Sequence, residues 1–386
     1  MPKVLVLETL GKYSHEVLHA CQSRLFLNHG YGEKINLDLS NGTFDFYKTG
    51  QFALDTILYQ KFLHYSGRVH SMEEADLVFV PFLFQPILTS GSSAKCRKLK
   101  QAMLGKKYTG PSLTRDTMNK VLLPKFVVEV LAELKRMRSG KRIVVVSMAR
   151  TGGNNYRQSF LDKRFKGDLK NFRFLGIENW EGRYKQIIMV PYPTIFHMRS
   201  DATPQLPKKE SSAFLFYGSP RLHANKTARA TGPPPFKASV TKLRYAILDA
   251  LLQRSDSTIQ TLTYENFNLE AAYKAMAQSK FCIQPLGDSP VRRGFYDSVL
   301  LGCIPVVFSK SAYRPFGQST SSIAIHLDEN VPPENIVDIL WKISQTNIQG
   351  MQANIVKTMR AFQYSLLQDE THDAFGNILR VLRGVV

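Results

Sequence analysis

The stretch from Lys280 to Ser309 (K-F-C-I-Q-P-L-G-D-S-P-V-R-R-G-F-Y-D-S-V-L-L-G-C-I-P-V-V-F-S) constrains the fold more than any other part of the chain. Phe281 to Ile283 is a short apolar run that suits a buried strand, and Pro285 to Pro290 is turn chemistry that halts it. Ser289 followed by Pro290 has the form of a helix N-cap with proline at the first helical position. Phe295, Val299 and Leu300 then predict the apolar face of a helix of about three turns, closed by Gly302. Ile304 to Phe308, uncharged and rich in β-branched residues, reads as a second buried strand. Strand, helix and strand in so short a span make a βαβ unit, so the two strands are expected to be parallel.

Polar residues gather at the head of that helix. Gly287 allows close backbone approach to a ligand, and the first-turn amides near Gly287, Asp288 and Ser289 are free to bind an anion. Arg292 and Arg293 add two permanent positive charges, and Asp297 follows Arg293 by one helical turn. Amides with arginines suit a diphosphate, and a carboxylate one turn on suits the paired hydroxyls of a ribose. An ordinary capped helix with an Arg293–Asp297 surface pair accounts for the same pattern.

The segment FCIQPLGDSPVRRGFYDSVLLGCIPVVFS resembles the signature of the exostosin-like glycosyltransferases, glycosyltransferase family 47, in which a G-D-S turn precedes an arginine pair, an acidic residue and G-C-I-P-V. A second island, FDFYKTGQFALDTILYQKFLHYSGRVHSMEEADLVFVPF, resembles the family's N-terminal block. Gly218-Ser-Pro-Arg221 is similar to its G-x-x-R loop, and Pro191-Tyr-Pro before His197 to its V-P-Y-P segment. The resemblance implies a GT-B architecture, two Rossmann-like domains facing across a cleft, with the nucleotide held mainly by the C-terminal one. It implies an inverting transfer of a sugar from a nucleotide-sugar, UDP-linked, to a glycan or glycoprotein acceptor. On this reading Arg221, Arg292 and Arg293 hold the diphosphate and Asp297 the ribose. Asp55 matches an acidic position in the family's N-terminal helix and is one candidate base, with Asp45 and His197 as alternatives; His197 reads more readily as a hydrogen-bonded structural histidine than as a catalytic one. Family members usually sit in the Golgi lumen behind an N-terminal membrane anchor and are expected to form homo- or hetero-oligomers with related transferases.

At 386 residues the chain is long for one core, and 44% hydrophobic residues with 24 Phe and 16 Tyr are ample for two. Asp201 to Ser212 (D-A-T-P-Q-L-P-K-K-E-S-S) has the composition of a linker. The expected division is therefore an acceptor-side domain over 1–205, a nucleotide-sugar domain over 206–340, and C-terminal helices over 341–386 packing back across the interface. A net charge of +20 favours anionic partners: a nucleotide-sugar, an acidic glycan, nucleic acid or an acidic membrane surface. Nucleic acid calls for aromatic residues interleaved with basic ones, which the basic stretch Lys95 to Lys107 lacks. A non-catalytic basic glycan- or nucleic-acid-binding protein, or a degenerate transferase that binds donor without turnover, is the competing reading.

The four cysteines, Cys21, Cys96, Cys282 and Cys303, show no metal-ligand spacing. Cys282 and Cys303 read most simply as buried thiols, with one or two disulfides left open. No D-x-D marks a metal site, since Asp38 with Ser40 and Asp45 does not supply one, so metal-independent transfer with no cofactor is expected. No apolar run approaches the ~20 residues of a membrane helix, and Met1 to Leu10 reads as a strand start rather than a signal peptide. The sequons Asn41-Gly-Thr43 and Asn225-Lys-Thr227 are compatible with a luminal location.

Elsewhere, strands are expected over Lys3–Leu7, Leu77–Phe82, Ile143–Ser147, Ile187–Val190, Phe214–Tyr217 and Ile323–Leu327. Thr49 is expected to cap a helix containing Phe52, Ile57, Leu58 and Phe62, and Ser71 with Glu74 a short helix at Met72–Ala75. Ser90 to Pro111 reads as a basic surface loop or mobile helix. Further helices are expected over Leu122–Met137, Thr241–Gln253, Leu269–Ser279 and, as one or two pieces, Ile336–Tyr364. The loop from Met148, with its two glycines, is expected to wall the cleft.

Overall fold

A computed structural model of the chain describes residues 1–21, 27–39, 43–83, 87, 93–104, 117, 121–140, 142–147, 169–178, 186–199, 202–203, 206, 214–217, 234–254, 259–262, 268–286, 291–308, 314–328, 330–366 and 372–385. Expectations for the loop at 148–155, for Arg221, Gly287, Asp288 and Ser289, and for the asparagines of both sequons lie outside the described residues.

The described strands are β1 (Val4–Val6), β2 (Lys34–Ile35), β3 (Phe44–Tyr47), β4 (Arg68–Val69), β5 (Leu77–Val80), β6 (Ile143–Ser147) and β7 (Phe172–Gly176). They continue with β8 (Ile187–Met189), β9 (Phe196–Met198), β10 (Phe214–Tyr217), β11 (Ile259–Leu262), β12 (Phe281–Gln284), β13 (Ile304–Val307) and β14 (Ile325–His326). They form three sheets: β4-β1-β5-β6-β7-β8, β11-β10-β12-β13-β14, and β2-β3-β9. Every pairing in the first two is parallel, and both pairings in the third are antiparallel. The chain is thus α/β on two parallel sheets, as its patterning predicts. Strands such as Leu-Val-Phe-Val (β5) and Ile-Pro-Val-Val (β13) are buried at every residue, because helices cover both faces of a parallel sheet.

The helices are α1 (His15–Ala20), α2 (Leu54–Leu63), α3 (Ala94–Leu104), α4 (Leu123–Arg136), α5 (Pro234–Leu252) and α6 (Leu269–Gln278), followed by α7 (Arg293–Leu300), α8 (Ile336–Trp341), α9 (Gln345–Thr358) and α10 (Ala374–Arg383). Among the described residues, no helix is long and apolar enough to cross a membrane.

Several local expectations are corrected. Thr49 does not cap α2, whose N-cap is Ala53 with no side-chain cap; the Thr49 hydroxyl donates instead to the Tyr31 carbonyl at 2.7 Å. Ser71 accepts from the Glu74 amide at 3.4 Å, but in a turn rather than a helix. Of the two readings of the basic stretch after Ser90, surface loop or helix, the described part takes the second: α3 exposes Lys95, Arg97 and Lys98 and buries Cys96, Leu99, Lys100 and Met103. The helix after β12 starts at Arg293 rather than Pro290, because Arg292 is extended (φ −131°, ψ 145°). Gly302 does close it, at φ +68°, where a Cβ would also meet Leu206 Cδ2 at 2.5 Å.

All four cysteines are paired, Cys21 with Cys96 and Cys282 with Cys303, so the free-thiol reading of the second pair is replaced by a bridge. The second bridge joins the neighbouring strand β12 to the residue just before β13, and the first ties α3 to the end of α1.

The segment after α9 links the halves. The Tyr31 hydroxyl donates to the Ser365 carbonyl at 2.7 Å, the Tyr364 hydroxyl to the Pro191 carbonyl at 3.1 Å, and the Met198 amide to Gln363 Oε1 at 3.3 Å. Lys61 on α2 meets Asp373 at 2.7 Å with both side chains 1% exposed, and Asp373 caps α10 through the Gly376 amide. Tyr296 of α7 packs against both Tyr192 and Phe362, with ring centroids 6.0 and 6.1 Å apart.

Candidate active site

The five-stranded sheet reverses its strand order at β10 and β12, and ligands in open parallel sheets bind outside the carboxyl ends of the strands at such a switch point. Two arginines meet there, and a third follows one of them in sequence. Arg292 Nη1 donates to the Pro285 carbonyl at 3.0 Å, and Arg244 Nε, from α5, donates to the Leu286 carbonyl at 2.6 Å. Arg293 Nη1 reaches out of its own sheet unit to the Thr49 carbonyl at 3.0 Å. The carbonyls just past β12 are therefore gripped from two helices, and the third guanidinium joins this sheet end to the connection between β3 and α2.

Asp297 lies one turn beyond Arg293, as its spacing requires, but faces inward at 4% exposure rather than forming a surface pair. Its Oδ2 accepts from the Tyr273 hydroxyl at 3.2 Å and lies 3.4 Å from Arg293 Nε. Its Oδ1 has no hydrogen-bond partner among the described residues. Burial raises its pKa above the usual aspartate range, and the Arg293 charge and Tyr273 hydroxyl pull it partly back. Beneath the helix, Gln284 Nε2 donates to Ser298 Oγ at 3.0 Å, and a Cβ on Gly294 would meet Gln284 Oε1 at 2.4 Å. A side chain at 294 would therefore have to displace the Gln284 amide at the end of β12.

The three candidate bases occupy different settings. Asp55, 1% exposed on the buried face of α2, accepts from the Ser147 hydroxyl at 3.0 Å, which sets it at the carboxyl end of β6. Asp45 on β3 is paired with Lys34 at 2.9 Å and is half-buried. His197 on β9 is 1% exposed, with Nδ1 2.7 Å from the Tyr364 carbonyl and Nε2 2.8 Å from Thr49 Oγ1. Burial pushes its pKa down to about 4, with the Arg293 and Lys61 charges adding to the effect and the Tyr364 carbonyl and Asp45 opposing it. With both ring nitrogens engaged by protein groups, His197 has the geometry of the structural histidine. No group of three or more His, Cys, Asp or Glu side chains among the described residues could hold a metal ion.

The model of the exostosin GT47 domain matches residues 2–343. This chain belongs to the exostosin GT47 family. Two parallel sheets separated along the chain are the GT-B type of architecture that the family resemblance implies. Among curated relatives, xyloglucan-specific galacturonosyltransferase 1 of Arabidopsis thaliana is 27% identical over 81% of this chain and 45% of its own length. "Probable xyloglucan galactosyltransferase GT14" of Arabidopsis thaliana is 30% identical over 73% of this chain and 50% of its own. The chain thus spans about half the length of the first curated relatives it matches.

For this GT47 chain, the sequence marks the cluster only in part. Arg292, Arg293 and Asp297 are brought together at one helix head. Arg244 was missed: it sits 42 residues before Leu286, inside an amphipathic helix where nothing in the spacing sets it apart. Thr49 was read as a cap, and its carbonyl contact with Arg293 has no sequence signal across 244 residues.

Proposed function

We propose that this chain transfers a glycosyl group from a nucleotide-sugar, UDP-linked, to a glycan or glycoprotein acceptor, with inversion in a single displacement. The observation that carries this reading is the meeting of Arg244 and Arg292 at the carboxyl end of β12, the sheet's switch point, with Arg293 next in the chain and turned to the Thr49 carbonyl. Fixed guanidinium charge is what a departing diphosphate needs, because it stabilises negative charge as the bond to the sugar breaks. In this reading Arg292 and Arg293, with Arg221 and the amides of Gly287, Asp288 and Ser289, hold the diphosphate. Arg244 orients the loop between them, and Asp297 Oδ1 takes a ribose hydroxyl. Asp55 is the base that removes the acceptor proton: on α2, it is held by Ser147 beside the carboxyl end of β6. Residues 1–205 form the acceptor side, 206–340 the donor side, and 341–386 the strap across them. The guanidinium groups supply the charge that a divalent cation would, so transfer proceeds without added metal.

The relatives' names, a galacturonosyltransferase and a probable galactosyltransferase of xyloglucan, support a hexosyl or hexuronosyl group as the one transferred and a polysaccharide as the acceptor. Two disulfides support an oxidising compartment, in keeping with the Golgi lumen, and the +20 charge supports an acidic acceptor. Any assembly with related transferases belongs to the same proposal. The test is incubation of purified protein with a panel of UDP-sugars and oligosaccharide acceptors, the product anomer being read by NMR. Transfer with inversion is expected. Calorimetric UDP binding with neither transfer nor donor hydrolysis across the panel would overturn the enzyme reading in favour of a donor-binding protein without turnover.

A further inference from the structure

Arg293 is seated by a carbonyl, and that carbonyl is held by a buried hydrogen-bond chain outside the donor cluster. Thr49 carries the carbonyl, and its side chain is 3% exposed. The Thr49 hydroxyl lies between the Tyr31 carbonyl, at 2.7 Å, and His197 Nε2, at 2.8 Å. The opposite ring nitrogen, Nδ1, lies 2.7 Å from the Tyr364 carbonyl on the C-terminal strap. A carbonyl only accepts, so Nδ1 carries the proton and Nε2 of the neutral ring is an acceptor. The hydroxyl has one proton to give, to the Tyr31 carbonyl or to Nε2, and the two short contacts together fix where the Thr49 side chain sits.

The surroundings leave this chain little freedom. Tyr31 and Tyr47 pack their rings edge-on against His197, with centroids 4.7 and 5.5 Å away. The backbone at Gly32 runs so close to residue 48 that a Cβ would meet the Lys48 carbonyl at 2.6 Å. The charged groups facing His197 are Arg293, Lys61 and Asp45. Burial with two cations nearby keeps the ring neutral, which fixes the tautomer that the chain requires.

We propose that His197 and Thr49 are positioning residues for Arg293: the imidazole anchors the Thr49 side chain, the anchored residue presents its carbonyl across the junction, and that carbonyl orients the guanidinium at the head of α7. The inference rests on the reading of Arg293 as a diphosphate ligand. It assigns His197 a role in donor binding without contact to the donor.

The two ring nitrogens can be tested separately. Glutamine places its amide near the position of Nε2, facing Thr49, whereas asparagine places it near Nδ1, facing Tyr364. Calorimetric titration with UDP is expected to show His197→Gln and Thr49→Ser within about threefold of the parent. His197→Asn and Thr49→Val should each lose about tenfold or more, the range for a misplaced charge-assisted hydrogen bond. A merely structural role would instead make affinity follow melting temperature, with glutamine and asparagine alike. Equal UDP affinity for His197→Asn, Thr49→Val and the parent would overturn the proposal while Arg293→Ala still weakens binding. Unchanged affinity in Arg293→Ala would overturn the donor-site reading itself. Should the asparagine and valine variants not fold, the parent protein labelled with 15N-histidine decides. Saturating UDP is expected to shift the Nε2 resonance of His197, assigned with His197→Gln, and an unmoved resonance would overturn the proposal.

Discussion

The two parallel sheets share one strand order and differ in what stands at their carboxyl ends. In each, the first strand in sequence lies beside the second, and the third, fourth and fifth extend from its other side (β4-β1-β5-β6-β7 and β11-β10-β12-β13-β14). The sheet of the second half ends β12 in a loop gripped by Arg244 and Arg292, with Arg293 next to them. The sheet of the first half ends β6 in Ser147, whose hydroxyl holds the carboxylate of Asp55. Cationic groups on one scaffold and a carboxylate on the other are what a displacement needs from two substrates. In the proposed transfer one side would take up negative charge and the other a proton. The scaffold fixes where chemistry is placed; the strand-end residues fix its sign.

The hardest test of this contrast is Asp55→Asn, which keeps the size and one acceptor of the side chain. It is expected to lower kcat by about 100- to 10,000-fold, the range for removing a general base, with UDP affinity unchanged. Turnover within tenfold of the parent would move the base elsewhere.

Next in size is the tie between the two regions. Lys61→Ala leaves Asp373 buried without its cation and should cost about 3–5 kcal/mol in denaturant titrations, whereas replacing both residues with apolar ones of similar volume should restore most of it. A separate unfolding transition for each half in the parent would show that the strap does not unite them.

The third is a pH dependence. The pKa of His197 is depressed in the folded protein, from 6.5 to about 4, so the unfolded chain binds the extra proton in that window. Its contribution to stability is complete above pH 6.5 and is lost as pH falls towards 4, by about 3 kcal/mol. His197→Gln should flatten this slope, and an unchanged slope would assign it to another group.

On the donor side, Arg292→Ala and Arg244→Ala should each weaken UDP binding about tenfold, as a guanidinium releases the carbonyl it holds. Wild-type affinity in both would remove the arginine cluster from the site. The smallest expected effect is that of EDTA, which should leave transfer unchanged. Loss of activity restored by Mn²⁺ would show that a cation shares the charge with the arginines.

Most of the fold was legible because parallel strands are continuous apolar runs and their ends carry turn residues. Ile143–Ser147 and Phe214–Tyr217 were bounded correctly for that reason. The start of α7 differs from the expected one because Ser289-Pro290 has capping chemistry, whereas Arg292 is still extended and the helix begins at Arg293. The inward turn of Asp297 was also hidden, since an Arg-x-x-x-Asp pair has the same spacing on a wet face as on a dry one. What joins the halves was least legible. Tyr31 meets Thr49, and Tyr364 meets His197, through a backbone carbonyl, and a carbonyl leaves no mark on residue identity. The cysteine pairs were left open because spacings of 75 and 21 residues say nothing about strand adjacency.

The Lys61–Asp373 pair also has a meaning in time. A ribosome adding roughly 5–20 residues per second needs about 15 to 60 s to cover the 312 positions between them. For that interval the ammonium group of α2 has no anion to meet, so the surface that will receive the strap cannot close dry around it. The first half of a nascent molecule is therefore held wet and unfinished until Asp373 has been added.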